Sequence, residues 1–349
     1  MDQTVIDIGG RLIGQGHKAL LVAEVAQAHD GSLGLAHSYI EAAARAGVDA
    51  VKFQTHIAAA ESTLDEQFRV KFSYQDDTRY DYWRRMEFTP AQWRGLAQHC
   101  RDQGLLFLSS PFSLPAAELL EELEVQAWKL ASGELGHRPL LEFMAATGKP
   151  VILSSGLSGW PELERVVAFF RGRGCPLALL QCTTAYPVPL EQVGLNLMEE
   201  MGRRFGAPAG LSDHSGSLFP ALAALARGAA ILEVHITYDR QMFGPDAAAS
   251  LTPAELSLLA QARDAFFTLA APLDKDALAA DKAPLRAQFG RSLALIQDRP
   301  AGHRLSAGDL TLKKPGGGIP HEDMARLIGK RLARPVEDRR LLRWEDIED

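Results

Sequence analysis

The stretch from Gly210 to Asp246 concentrates residue types that could do chemistry. It reads G-L-S-D-H-S, an Ala-rich helical run, A-I-L-E-V-H-I-T, and an irregular run closing on G-P-D. The apolar segments 208–211 and 230–236 have the Val/Ile/Leu richness of buried parallel strands. Each releases polar residues as it ends: Ser212, Asp213 and His214 from the first, Glu233 and His235 from the second. Two neutral imidazoles on neighbouring strand ends could share one divalent metal ion. Taken singly, each histidine reads better as a hydrogen-bonded core residue, and Asp213 as the cap of the next helix. Their matched positions favour a site.

Strands that end on reactive residues imply a scaffold that repeats them. Apolar segments recur near 20–25, 48–53, 105–109, 126–131, 150–154 and 177–182, before the two already named. Helical patterns fall between and after them, near 33–46, 90–103, 115–124, 138–147, 160–171, 191–205, 216–228 and 253–269. Thr-Pro at 89–90 and 252–253 and Trp-Pro at 160–161 are helix-start signals. Eight strands alternating with eight helices over about 250 residues predict a (β/α)8 TIM barrel. An open doubly wound sheet is the alternative, but no glycine fingerprint follows the first strand. Residues 4–17 alternate around Gly-Gly and predict a small hairpin.

A barrel gathers its strand ends at one mouth. Here those ends carry Glu24, Lys52, Gln54, Ser109, Ser110, Lys129, Ser132, Glu134, Ser154, Ser155, Gln181, Thr183, Thr184 and Tyr186. Lys52 and Lys129 with the hydroxyls of Ser110, Ser132, Ser154 and Ser212 make an anion cradle. Glu24 and Glu134 are candidates for general acid/base work. A metal on His214 and His235 could polarise a carbonyl oxygen. An anionic substrate, a carbonyl and a metal suggest a condensation. A Schiff-base lysine, as in an aldolase, is the competing chemistry, and a lysine paired with a strand-end glutamate is the plainer role for either lysine.

Two segments interrupt the repeat. Residues 55–88 are too long for a barrel connection and rich in aromatic residues, so they predict a loop covering the mouth or an oligomer contact. Residues 271–287 predict a polar linker, able to span up to roughly 50 Å if extended. It would join a barrel domain at 1–270 to a small domain at 288–349 that is marginal alone unless docked.

Composition narrows the partners. With 37 basic and 44 acidic residues the formal charge is −7, which disfavours nucleic acid. No apolar run reaches membrane-spanning length and the start lacks a basic n-region, so a soluble cytoplasmic protein is expected. Cys100, Cys175 and Cys182 have spacings unlike a disulfide framework or a zinc motif.

The strand-end segments also carry a family resemblance. A-E-V-A-Q-A-H-D-G (23–31), V-K-F-Q-T-H (51–56), S-S-P-F (109–112), W-K-L-A-S-G-E (128–134) and I-L-S-S-G (152–156) come first. L-Q-C-T-T-A-Y-P (180–187), G-L-S-D-H (210–214), I-L-E-V-H (231–235), G-P-D (244–246) and L-K-K-P-G-G-G-I (312–319) complete the series. In this order they resemble the sialic acid synthase family, which condenses phosphoenolpyruvate with an N-acylated hexose. The resemblance implies a TIM barrel followed by an antifreeze-like SAF domain of β-clip type, and a domain-swapped homodimer. It implies that Lys52, Ser110, Lys129, Ser132, Ser154, Thr184 and Ser212 hold phosphoenolpyruvate. It places Glu24, Glu134, Tyr186, Asp246 and Lys314 at the sugar, and manganese or magnesium on His214 and His235. The implied catalytic set is Glu24, Lys52, Lys129, Glu134 and His235. The departures are Val25, Ala26 and Ala28 in the first segment, Thr184 where asparagine is usual, and Lys314 where arginine is usual. They concern mainly the sugar side, so the acceptor's identity stays open. Synthases of shorter 2-keto-3-deoxy sugar acids, Schiff-base aldolases and a carbohydrate-binding barrel without activity remain the other readings.

Overall fold

The protein is described from a computed structural model covering residues 5–68 and 71–348. It forms two compact units, Met1–Ala270 and Ala271–Asp349.

The first unit begins with an antiparallel hairpin, β1 (Ile6–Ile8) and β2 (Arg11–Ile13). Its turn is Gly9-Gly10, both at positive φ, the conformation that a two-residue hairpin turn requires and that glycine adopts without steric cost. Eight parallel strands follow: β3 (Leu20–Ala26), β4 (Ala50–Thr55), β5 (Leu106–Pro111), β6 (Trp128–Leu130), β7 (Val151–Ser154), β8 (Leu177–Cys182), β9 (Ala209–Asp213) and β10 (Ile231–His235). They pair in the order β5-β4-β3-β10-β9-β8-β7-β6. β5 and β6, at the two ends of that order, lie against each other. The sheet therefore curls into a nearly closed barrel, as the strand-helix repeat predicted.

Period-two alternation divides the core in two. Residues facing the helices, such as Leu21, Val51, Phe53, Leu153 and Val234, pack with Tyr39, Trp93, Leu120 and Leu256. Residues facing the barrel axis (Leu20, Val22, Ala50, Leu108, Ile152, Ala178, Leu180, Ile231) pack with Ile6, Ile8 and Ile13 of the hairpin. The hairpin thus plugs the barrel opposite the strands' carboxyl ends. Predicted caps are realised: Thr89 and Thr252 each form a capping box, with Gln92 and Glu255, ahead of helices Pro90–Asp102 and Pro253–Leu269. Gly210 lies where β9 meets β10, and any Cβ there would overlap the Ile231 carbonyl.

The expected loop at 55–88 includes residues 69–70, which lie outside the described residues; its described parts hold helices Ala58–Glu61 and Arg79–Met86. The latter starts at Thr78, whose side chain accepts from the Asp81 N–H.

The second unit contains β11 (Ser292–Leu295) and β12 (Leu310–Lys313), paired antiparallel, with bridges Arg299–Val336 and Arg304–Arg331. Its core is mainly leucine: Leu293, Leu295, Leu305, Leu310, Leu327, Leu332 and Leu342, with Ile319 and Val336. Buried Asp346 is held by Arg334 and Arg340. The expected linker at 271–287 is not extended. Helices Lys275–Asp281 and Ala283–Phe289 occupy it, because Asp274 caps the first and alanines propagate it.

The plug reading predicts that Ile8→Ala will destabilise the barrel by about 2–5 kcal/mol. Urea unfolding followed by tryptophan fluorescence measures this, and an unchanged midpoint would place the hairpin outside the folding core.

Candidate active site

The alternation that packs the lower barrel with leucines carries polar residues upward on the same inward face. On β4 the inward series is Ala50, Lys52, Gln54. On β10 it is Ile231, Glu233, His235, and on β9 it is Gly210, Ser212 and, just beyond, His214. A two-residue rise thus separates a buried ionic layer from the residues above it.

The ionic layer joins seven side chains. Lys52 Nζ lies 2.6 Å from Glu24 Oε2 and 3.9 Å from Glu233 Oε1, and donates to Ser110 Oγ at 3.4 Å. Lys129 Nζ lies 3.4 Å from Glu233 Oε1 and donates to Ser154 Oγ at 2.7 Å. Ser212 Oγ donates to Glu233 Oε1 at 2.9 Å. All are buried. Both lysines therefore have carboxylate partners, the plainer role considered from the sequence, within the cluster expected from the sequence to form an anion cradle.

Burial and pairing set the charges. Burial pushes Glu24 up to about 7, against the pull of Lys52. Burial also works against charge on Glu233, but Lys129 and Lys52 outweigh it and hold this carboxyl below its ordinary value. Lys52 is held above the usual lysine range because Glu233 and Glu24 overcome its desolvation. Lys129 is depressed by burial. Glu233 is thus the permanent counter-ion, and Glu24 sits where it can gain or lose a proton near neutral pH.

Above this layer, His214 and His235 stand with ring centroids 5.0 Å apart. Tyr186 Oη is 3.3 Å from His214 Nε2, and Asp246 Oδ2 is 3.8 Å from His235 Nδ1. Burial lowers His214 to about 4 and drives His235 well below its ordinary value. Both rings are therefore neutral, the form that binds metals, so the pair fits a divalent ion. Among the described residues no group of three His, Cys, Asp or Glu side chains is arranged to hold a metal. From this chain the two imidazoles would be the anchor. Asp213 does not cap the following helix: it accepts from Ser215 Oγ, and Ser217 is the cap of helix Leu218–Ala226.

A cavity of about 630 Å³ opens over these groups, lined by Ser132, Glu134, Thr184, Tyr186 and Asp246 among others. Lys52, Lys129, Ser110, Ser154 and Ser212 do not line it and belong to the layer of buried charge. Thr184 Oγ1 is buried with no hydrogen-bond partner. A Cβ on Gly156 would crowd Thr184 Oγ1, with Cys182 Sγ at 3.0 Å and Ser132 Oγ at 3.3 Å. An orphaned hydroxyl beside space that only glycine leaves open suits a bound oxyanion. Glu134, raised by burial, pairs with His137 at 3.1 Å. Lys314 lies in the second unit, its Nζ 5.6 Å from the centre of the Phe289 ring.

Two features escaped the sequence reading. Glu233 shows in the sequence only as a strand-end residue, although its place two residues before His235 puts both on the inward face. His56 is stacked between Trp83 and Phe112, at 4.0 and 4.6 Å between centroids. Its Nδ1 meets Glu61 at 2.6 Å, and its Nε2 meets Gln27 at 2.9 Å. Gln54 connects this group to Glu24 at 3.1 Å. Only the position of His56 after a strand hinted at it. Just past Glu24 a bulge shifts the register of β3 against β4, with Ala26 at φ 45°, and it turns the chain toward Gln27.

Comparison with known proteins identifies the scaffold. The NeuB family model matches residues 39–270. The chain belongs to the NeuB family. A SAF domain model matches residues 290–348. The N,N'-diacetyllegionaminic acid synthase of Campylobacter jejuni is 32% identical over 333 residues, covering 93% of this chain and 99% of that protein. The human N-acetylneuraminate-9-phosphate synthase is 33% identical over 336 residues, covering 94% and 92%. A crystal structure of the N-acetylneuraminic acid synthetase of Leptospira borgpetersenii is similar with a TM-score of 0.72 at 28% identity. It covers 82% of this chain and 98% of that one.

In this NeuB-family barrel, Glu233 answers two buried ammonium groups. Glu233→Gln should therefore cost about 3–5 kcal/mol of stability, as expected when one partner of a buried ionic cluster is removed. A loss below about 1 kcal/mol in chemical denaturation would mean that Glu24 suffices as counter-ion.

Proposed function

We propose that the protein is a nonulosonic acid synthase that condenses phosphoenolpyruvate with an N-acylated hexose, releasing phosphate. The observation that carries this is the junction of the lysine-carboxylate layer with the orphaned Thr184 hydroxyl and the His214–His235 pair, on a NeuB-family barrel. Lys52 and Lys129, with Ser110, Ser132, Ser154, Thr184 and Ser212, hold the carboxylate and phosphate of phosphoenolpyruvate. Glu134, Tyr186 and Asp246 orient the sugar in the cavity.

His214 and His235 would hold a divalent ion, manganese or magnesium, whose contribution is Lewis-acid polarisation of the sugar's aldehyde oxygen. Glu24, poised near neutrality, exchanges the proton that the new hydroxyl or the attacking water requires. In the proposed course C3 of phosphoenolpyruvate attacks the aldehyde carbon and water adds at C2. The tetrahedral adduct then expels phosphate by C–O cleavage. The cytoplasm is the proposed location, since phosphoenolpyruvate is made there. No helix among the described residues is long and apolar enough to cross a membrane.

The test is phosphate release from phosphoenolpyruvate against a panel of N-acyl hexosamines in 18O-labelled water, with and without chelator and added metal. Expected are metal-dependent turnover and label in the keto acid only. Label in the phosphate would indicate P–O cleavage, and turnover undiminished by chelation would remove the metal from the scheme.

The proposal extends to a homodimer in which the SAF domain of one chain completes the partner's cavity, bringing Lys314 to the sugar. Its motive is the small leucine core of that unit, which gains from docking. Mixing inactive Lys129→Ala and Lys314→Glu chains should restore part of the activity on subunit exchange, because some heterodimers regain one intact site. Background activity after verified exchange would exclude the shared site.

A further inference from the structure

The cavity over the strand ends has a second wall that the reaction does not use. It comes from the 55–88 excursion, and its charges are fixed among themselves. Glu66 Oε1 takes Arg79 Nε at 2.9 Å, and Glu66 Oε2 takes Trp83 Nε1 at 3.0 Å and the Ser62 hydroxyl. The Arg79 guanidinium also lies 5.0 Å from the centre of the Trp83 ring. Glu61 is bound to His56, whose ring is clamped between Trp83 and Phe112. Glu61, Glu66, Arg79, Trp83 and His56 all line the cavity.

Among the described residues, the carboxylates lining the cavity are Glu61, Glu66, Glu134 and Asp246, against the single guanidinium of Arg79. A lysine brought by a partner chain leaves the carboxylates in the majority among the described residues. Lys52 and Lys129, in the buried layer with Glu24 and Glu233, do not line this cavity and serve phosphoenolpyruvate in the proposed reaction. A second phosphate entering here would meet like charge in a partly desolvated space. An uncharged sugar would meet hydrogen-bond acceptors and aromatic faces. The known relatives include both kinds of enzyme: one is named for a 9-phosphate product and the other is not.

We infer that the 55–88 wall selects an uncharged acceptor sugar, with Glu61 and Glu66 rejecting a phosphorylated one and Arg79, held by Glu66, unable to form a phosphate site. The inference rests on the condensation reading and adds the acceptor's charge class. Glu61 and Glu66 act on specificity and touch no reacting atom.

The experiment compares N-acetylmannosamine, its 6-phosphate and an uncharged diacetamido-6-deoxyhexose as acceptors, at saturating phosphoenolpyruvate and at two ionic strengths. Keto-acid formation is the readout. Expected is a preference in kcat/KM of at least about 100-fold for the better uncharged sugar over the phosphate, smaller at high salt. Glu66→Gln should raise the 6-phosphate to free-sugar ratio about tenfold, and Glu61→Gln offers the same readout should the first variant fold poorly. Turnover of the 6-phosphate equal to or better than that of the free sugars overturns the inference while leaving the condensation standing. A ratio unchanged in both folded variants overturns the assignment to this wall. Consumption of phosphoenolpyruvate with none of the three sugars defeats the condensation reading, and this inference with it.

Discussion

Two ammonium groups and two carboxylates share the dry interior of the barrel, and the rest of the site depends on how they balance. Charges this buried are costly to desolvate, and Lys52, Lys129, Glu24 and Glu233 offset that cost only by facing one another. The balance is uneven. Glu233 lies between both lysines and is held ionised by them, whereas Glu24 meets Lys52 alone at close range and is pushed up to about 7 by burial. A proton taken by Glu24 leaves the layer with net positive charge beside Ser110 and Ser154. The same ion network that lets the interior tolerate charge can thus turn toward an anionic substrate without large rearrangement.

The position of that layer follows from barrel geometry. Inward residues repeat every second position, and the lower ones are filled by leucine, isoleucine, valine and alanine together with the hairpin's isoleucines. Apolar packing below means the polar layer can exist only near the carboxyl ends. There the next inward step reaches His214 and His235. β9 and β10 approach closely at Gly210, and His214 and His235 stand at their carboxyl ends with ring centroids 5.0 Å apart.

Those features were legible because they obey local rules. Thr-Pro and Gly-Gly signals, strand-length apolar runs and polar residues just past them located the strands, most helices and the two histidines. The covering segment and the linker were read as loops because their polar residues hide short helices that single capping residues, Thr78 and Asp274, suffice to start. Glu233 was legible in period but not in role, since its meaning depends on lysines from two other strands. The His56 stack was not legible. Its partners Trp83 and Phe112 come from a different helix and a different strand end, and no spacing along the chain encodes that meeting.

The division between strand ends and covering segment has a physical cause. A barrel of eight strands offers few inward positions near its mouth, and here they are occupied by ions, hydroxyls and imidazoles that the proposed chemistry uses together. Any change to discriminate between acceptors would disturb buried charges whose partners are already fixed. The described residues of 56–88 carry no strand register and no barrel closure, so they can vary at much lower cost. Yet they are not loose: Glu66 ties Ser62, Arg79 and Trp83 together, and Arg85 binds Asp30 and Asp76. Recognition thus falls to a segment stiffened by its own ion pairs, while the reacting groups remain on strands whose geometry selection by the wall does not disturb.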